Sequence, residues 1–212
     1  MTLETLNEKY PWPEVIPAVP ADRHCWFNRK EHMRVFGALL GGCPSHRTTY
    51  LEIGTWTGGG STAWVLTHTK MDVICVDTWE GGKEHYKKEE YKQRLPSLYD
   101  TFCRNLWSER SRITPVRENS REGLVIVKEH GVSPDFIYID GSHEEDDVYM
   151  DISDCLRLFP GAIIFGDDFV NGSGQLTSIA AAIERCHKDE LFSPKELARI
   201  GRCWWLTRNL EW

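Results

Sequence analysis

The chain has 212 residues and a formal net charge of −7, a length that allows one domain with a substantial buried core. The acidic balance gives no support for nucleic-acid binding, so no nucleic-acid partner is expected. No apolar run approaches the roughly 18 residues that span a bilayer, so no membrane association is expected either. The seven cysteines are odd in number and include no C-x-x-C pair, which argues against a disulfide framework or a structural zinc site. The polar, acidic N-terminus does not resemble a secretory signal, which favours a cytoplasmic protein.

The N-terminal segment 1–26 carries four prolines between positions 11 and 20, which predicts an extended arm before a single domain over 27–212. Arms of this kind can reach a neighbouring subunit, which leaves a homo-oligomer open. From Asn28 the pattern becomes helical and ends at Gly41-Gly42. The predicted apolar face of this helix is formed by Met33, Phe36, Leu39 and Leu40.

Strand and helix patterns then alternate along the chain. Strands are predicted over 49–53, 72–77, 112–116, 135–140 and 162–165, and helices from Ser61 and over 120–130, 144–158 and 175–187. The tail over 197–208 predicts two β segments joined near Gly201-Arg202. Alternation of this kind predicts an α/β fold with a doubly wound, mostly parallel seven-stranded sheet and a C-terminal antiparallel hairpin.

Two features at predicted strand ends indicate a nucleoside cofactor. Glu52-Ile53-Gly54-Thr55-Trp56-Thr57-Gly58 forms a glycine-rich turn after the first strand, and a helix follows it. Asp77 ends the second strand about twenty residues later, where a carboxylate can accept both hydroxyls of a ribose. The three-residue gap between Gly54 and Gly58 departs from the G-x-G-x-x-G fingerprint of dinucleotide sites, which disfavours an NAD-dependent oxidoreductase.

The E-x-G-x-x-x-G pattern resembles motif I of class I S-adenosylmethionine-dependent methyltransferases. Val76-Asp77-Thr78-Trp79, the segments 112–120 and 135–143, and the segment 159–168 extend the likeness to methyltransferase family 24 and to macrocin-type sugar O-methyltransferases, over roughly residues 48–170. The resemblance implies a Rossmann-like methyltransferase fold that binds S-adenosyl-L-methionine. The cofactor-binding residues expected from the motifs are Glu52, Gly54, Thr55, Trp56, Gly58, Ser61, Thr62, Asp77, Thr78, Trp79, Asn119, Ser120 and Asp140.

Three aspartates at neighbouring strand ends predict a metal site. Asp140 ends the fourth predicted strand, and Asp167 and Asp168 follow the fifth. Hard oxygen donors of this kind suit Mg²⁺ or another divalent cation, and the resemblance implies the same role, although the three acids could instead cap helices. His143 is the candidate general base, with Asp140 as the alternative.

The insertion over 79–108 is rich in aromatic and charged residues, which predicts a lid or substrate wall. Such a lining suits a hydroxylated small molecule, with a sugar or a glycosylated natural product favoured. The prediction is therefore an O-methyltransferase for a small polar acceptor, assisted by a divalent cation. A metal-free methyltransferase and a catalytically inactive cofactor-binding protein remain alternatives.

Overall fold

A central mixed sheet organises the protein. A computed structural model describes residues 2–27, 29–41, 49–83 and 85–210. Within them the sheet has the order β3-β2-β1-β4-β5-β7-β6, in which the first five strands run parallel and β7 pairs antiparallel with both β5 and β6. The strands are β1 (Thr49–Ile53), β2 (Asp72–Val76), β3 (Ile113–Val116), β4 (Phe136–Ile139), β5 (Ile163–Gly166), β6 (Leu197–Ile200) and β7 (Cys203–Leu206).

Helices cover both faces of this sheet, as the alternation along the chain predicts. They are α1 (Leu3–Lys9), α2 (Lys30–Leu40), α3 (Ser61–His68), α4 (Glu89–Lys92), α5 (Leu98–Leu106), α6 (Ser120–Glu129), α7 (Glu145–Leu158) and α8 (Ser178–Lys188). One apolar layer packs α1, α6, α7 and α8 against the side chains of Leu51, Ile74 and Ile137. The other packs α2, α3 and α5 against Tyr50, Val73 and Phe136. Successive strand residues therefore point to opposite layers, and the predicted doubly wound α/β fold is confirmed.

The N-terminal segment is not extended throughout, which corrects the expectation for residues 1–26. Residues Leu3–Lys9 form α1, whose first turn is closed by hydrogen bonds between Thr2 and Thr5. Leu6 is fully buried in the core beneath it. The prolines begin only at position 11, and a helix ends readily before such a residue. Residues 3–9 precede the prolines, so they are free to form a helix that is stabilised by burial of its apolar face.

The insertion over 79–108 divides into two parts with different surroundings. Its second half forms α5, where Leu98 and Phe102 are buried in the core. Its first half holds short helical turns at His85–Lys87, at α4 and at Leu95–Ser97, which carry no buried residue. Only this first half is in a position to act as a lid or substrate wall.

Most other element boundaries agree with the sequence prediction to within one residue. The largest shift is at α8, which begins at Ser178 because the Thr177 side chain accepts a hydrogen bond from the Ile179 N–H and caps the helix. On α2 the buried face includes His32 and Phe36, whereas Met33, which was expected on that face, is 40% exposed. The helix ends at Leu40 with Gly41 as its C-cap, as predicted, and Gly42 lies outside the described residues.

Two composition-based expectations can be compared with the structure. The six cysteines within the described residues are free, and Cys43 lies outside them. Among the described helices, none combines the length and the apolar character that a membrane span requires.

Candidate active site

A cavity of about 860 Å³ opens where the parallel strands end. The ends of β1, β2, β4 and β5 form its floor, while residues 24–27 and the first half of the insertion contribute its walls. The predicted cofactor residues that line it are Glu52, Gly54, Thr55, Trp56, Ser61, Asp77, Thr78, Asn119, Ser120 and Asp140. Gly58, Thr62 and Trp79 lie outside its lining.

The glycine-rich turn is held tightly between other parts of the chain. Gly54 has a φ of 85°, and a Cβ on it would lie 2.3 Å from the backbone oxygen of Asp140. A Cβ on Gly59 would lie 2.9 Å from the Cα of Arg23, and one on Gly60 would lie 2.9 Å from the Cβ of Phe27. These glycines therefore allow the N-terminal segment and the β4 end to pack against the turn, a non-local reason that the sequence did not reveal.

Glu52 organises the start of α3. Its carboxylate accepts hydrogen bonds from Ser61 Oγ at 2.5 Å, from Thr62 Oγ1 at 2.7 Å and from the Tyr50 hydroxyl at 3.2 Å. Burial raises the pKa of Glu52 to about 7, although these hydrogen bonds act in the opposite direction. Thr62 is fully buried in this arrangement, so it fixes Glu52 rather than facing the cavity.

Asp77 joins the two loops that leave β1 and β2. Its carboxylate accepts hydrogen bonds from the backbone N–H of Trp56 at 2.9 Å and from that of Trp79 at 2.7 Å. The Trp79 indole N–H donates to the Trp56 carbonyl at 2.8 Å, and Trp79 is buried. Both tryptophans have left-handed backbone conformations, with φ near 54°, which these contacts hold in place. Burial raises the pKa of Asp77 above its ordinary value, and the backbone N–H groups limit that rise.

The structure brings Asp140, His143 and Asp168 together at the β4 and β5 ends. One potential ligand atom from each lies within 4.8 Å of the other two. His143 Nε2 is 2.8 Å from Asp168 Oδ2, and the His143 side chain is about half exposed. Burial, followed by the negative charge of Asp167, raises the pKa of Asp140 well above its ordinary value. A cation beside Asp140 would offset this cost of ionisation.

Asp167 faces a different set of partners from Asp168. His32 Nε2 lies 2.9 Å from its carboxylate, Arg202 lies 3.3 Å away, and the residue is buried. Burial opposes ionisation, but the hydrogen bond from His32 and the Arg202 guanidinium hold the pKa of Asp167 below its ordinary value. The three predicted metal ligands therefore do not form one cluster, because Asp167 is occupied by His32 and Arg202.

Sequence reasoning missed His32 and Arg202. Arg202 also forms an ion pair with Asp168, and its side chain is only 15% exposed. It lies in the turn between β6 and β7, while His32 lies on α2, 135 residues before Asp167. Neither position carries a local motif, so only the packing of α2 and the hairpin against β5 reveals them.

The sequence of the chain is similar to that of a known protein family. A family model described as a methyltransferase domain matches residues 51–169, more than half of the chain. No curated protein matches the chain significantly.

Several solved structures share its fold. The cofactor-bound structure of Rv0187 from MTB has a TM-score of 0.56 and 21% identity, with 98% of this chain and 88% of that chain covered. The calicheamicin methyltransferase CalS11 has a TM-score of 0.54 and 15% identity, with 84% and 80% covered. MycE from the mycinamycin biosynthetic pathway, in complex with Mg and SAH, has a TM-score of 0.54 and 15% identity, with 96% of this chain but 53% of that chain covered. At these identities the likeness concerns the fold.

Proposed function

The chain belongs to the methyltransferase-domain family of S-adenosylmethionine-dependent enzymes, and on that basis we propose that it methylates a hydroxyl group of a small polar acceptor. A sugar or a glycosylated natural product is the favoured acceptor. The observation that carries this proposal is the shared cavity, which is lined by the glycine-rich turn, by Asp77 and by the group Asp140, His143 and Asp168. Cofactor residues and acid/base residues therefore face one space.

The cavity residues fit S-adenosyl-L-methionine. The Gly54–Trp56 turn would hold its amino-acid part, Asp77 would accept hydrogen bonds from the ribose, and Asn119 and Ser120 would lie near the base. Asp77 lines the cavity, and backbone N–H groups of the two loops fix the orientation of its carboxylate. When bound, the cofactor supplies a methyl group on a positively charged sulfur. The chain must then align an acceptor oxygen with that methyl group and remove its proton.

His143 is the proposed general base. Its Nε2 lies 2.8 Å from Asp168, and this contact orients the imidazole toward the cavity that both residues line. A carboxylate that holds an imidazole in this way also favours its protonated form after proton transfer. Asp140, which lines the same cavity, is the alternative proton acceptor.

The acidic group fits a divalent cation such as Mg²⁺. Asp140 and Asp168 would supply oxygen ligands, since one carboxylate oxygen of each lies within 4.8 Å of the other. Such an ion would lower the pKa of the acceptor hydroxyl and fix its position. Asp167 could join the site only by leaving His32 and Arg202, and Asp168 would exchange its ion pair with Arg202 for the cation.

Known neighbours support the acceptor class. One structure of CalS11 is described as that of a TDP-rhamnose 3'-O-methyltransferase, and one of MycE holds Mg, SAH and mycinamycin VI. In this chain, residues 24–27 and the first half of the insertion line one side of the cavity, which we assign to the acceptor. The N-terminal segment is therefore proposed as part of the one catalytic domain, with the lid limited to the first half of the predicted insertion.

The test combines cofactor binding with methyl transfer. Calorimetric titration should show saturable binding of S-adenosylmethionine and none of NAD, and transfer of labelled methyl to TDP-rhamnose or mycinamycin VI should weaken when a chelator is added. His143→Gln should lower transfer by about 10²-fold or more, the usual effect of losing a general base, while cofactor affinity is retained. Folded protein that does not bind S-adenosylmethionine would contradict the proposal, and chelator-resistant transfer would favour the metal-free alternative.

A further inference from the structure

Residues from the starts of α6 and α7 line the cavity side by side. The lining residues from these two regions, which we call the α6–α7 pocket, are Asn119, Ser120, Arg121, Asp147, Met150 and Asp151. The Ser120 hydroxyl donates a hydrogen bond to the Asp151 carboxyl and so joins the two regions. The pocket is therefore one continuous part of the cavity wall, formed by two helices that pack on the same face of the sheet.

Asp151 is a buried carboxyl that forms no ion pair with any basic side chain of the described residues. It is 4% exposed, and the charges that act on it come from Asp147 and Asp154, which are both acidic. Burial has the largest effect and raises its pKa to about 7. Asp154, one turn further along α7 and also 4% exposed, pairs instead with Arg157 at 2.6 Å and with Arg121 at 3.8 Å. The chain therefore neutralises Asp154 but leaves Asp151 without a counter-charge.

The Asp151 carboxyl is open to a ligand in the cavity. Ser120 donates to it, and neither of its oxygens is among the fully enclosed atoms that lack a partner in the described part of the chain, in contrast to Asp154 Oδ2. A buried carboxylate with too few donors is costly. A ligand that brings an N–H group to the pocket would offset this cost.

A carboxylate distinguishes between purine bases by the group at position 6. Adenine carries an amino group there, which donates a hydrogen bond, whereas guanine and hypoxanthine carry a carbonyl oxygen, which accepts one. An ionised carboxyl has only acceptor oxygens, so it attracts the amino group and repels the carbonyl. Met150 adds a polarisable thioether to the same pocket, and this group makes favourable contacts with flat aromatic rings.

We propose that Asp151 selects adenine as the base of the cofactor by accepting a hydrogen bond from its 6-amino group, an inference that rests on the proposed function. A ribose held by Asp77 would lie at the end of β2, and β3, which leads into α6, is the neighbour of β2 in the sheet. The base attached to that ribose would thus reach the α6–α7 pocket. Asp151 lies outside every segment that carries the family resemblance, so no motif assigns it a role.

The test compares two ligands that differ at position 6 of the base. S-adenosylhomocysteine and S-inosylhomocysteine, in which a carbonyl replaces the amino group, are titrated by calorimetry at pH 8.5, where Asp151 is ionised. The wild type should bind the adenosine form at least about tenfold more tightly. Asp151→Ala should reduce this ratio to about threefold or less, mainly by weakening the adenosine form. Asp151→Asn should reduce it by another route, because an amide can donate to the carbonyl and so strengthen binding of the inosine form.

The matched control is Asp154→Asn, which changes an equally buried carboxyl of the same helix outside the cavity lining and should keep the ratio of the wild type. A ratio near one in the wild type would overturn the inference. So would an unchanged ratio in both Asp151 variants, or an equal weakening of both ligands by Asp151→Ala, because either result would indicate a purely structural role. Folded wild type that binds neither ligand would instead contradict the proposed function, and the inference with it.

Discussion

The buried carboxyl of Glu52 should make the stability of the protein depend on pH. Burial raises the pKa of Glu52 from 4.5 to about 7 in the folded protein. A carboxyl whose pKa is higher in the folded than in the unfolded state binds its proton more tightly when folded. The resulting stabilisation is present at low pH and is lost as the pH rises through the folded pKa. Between pH 5 and pH 8 the loss from Glu52 alone is about 2.5 kcal/mol.

Glu52→Gln should remove this contribution, because an amide carries no ionisable proton. Its carbonyl can accept from Ser61, and the Thr62 hydroxyl can rotate to accept from the amide nitrogen, so the local hydrogen bonds survive. Urea unfolding followed by circular dichroism at pH 5 and pH 8 gives the free energy of unfolding of each protein. The wild type should lose about 2.5 kcal/mol more than Glu52→Gln between the two pH values.

The comparison cancels those titrating groups that do not interact with Glu52. Burial also raises the pKa of Asp151 to about 7, but Asp151 is present in both proteins and its effect drops out of the difference. Glu129→Gln changes an exposed carboxyl on α6 and should keep the pH dependence of the wild type. A difference between the wild type and Glu52→Gln below about 0.5 kcal/mol would refute the reasoning, because the hydrogen bonds would then have compensated for burial.

Two further predictions concern the acidic group and the glycine-rich turn. Arg202→Met removes the guanidinium that pairs with Asp168 and so removes a positive charge that competes with a cation. The affinity for Mn²⁺, measured by electron paramagnetic resonance, should therefore rise about tenfold. An unchanged affinity would place the cation away from Asp168. Gly54→Ala forces a Cβ to within 2.3 Å of the Asp140 oxygen at a φ of 85°, so the free energy of unfolding in urea should fall by about 3 kcal/mol or more. Gly172→Ala, where a Cβ would meet nothing within 4 Å, should change it little, and equal effects at the two glycines would contradict this account.

The sequence by itself determined the alternating strands and helices from β1 onward and the edge of the sheet that carries the site, but not α1. Apolar runs such as Asp72–Val76 and helix stops such as Gly41, the C-cap of α2, are local signals, so they predict an element without knowledge of its neighbours. The rule that ligands bind beyond the carboxyl ends of parallel strands then placed Asp77 and Asp140 at one edge. The family resemblance rests on the same local motifs.

Only the tertiary structure decided how the acidic residues divide. Asp167 and Asp168 are adjacent, and no sequence pattern tells which of them faces the cavity group with His143 and which faces His32. That choice depends on α2 and the β6–β7 turn, whose side chains reach β5 from distant parts of the chain. Such contacts are set by packing between elements far apart in sequence, and local residue patterns carry no record of them.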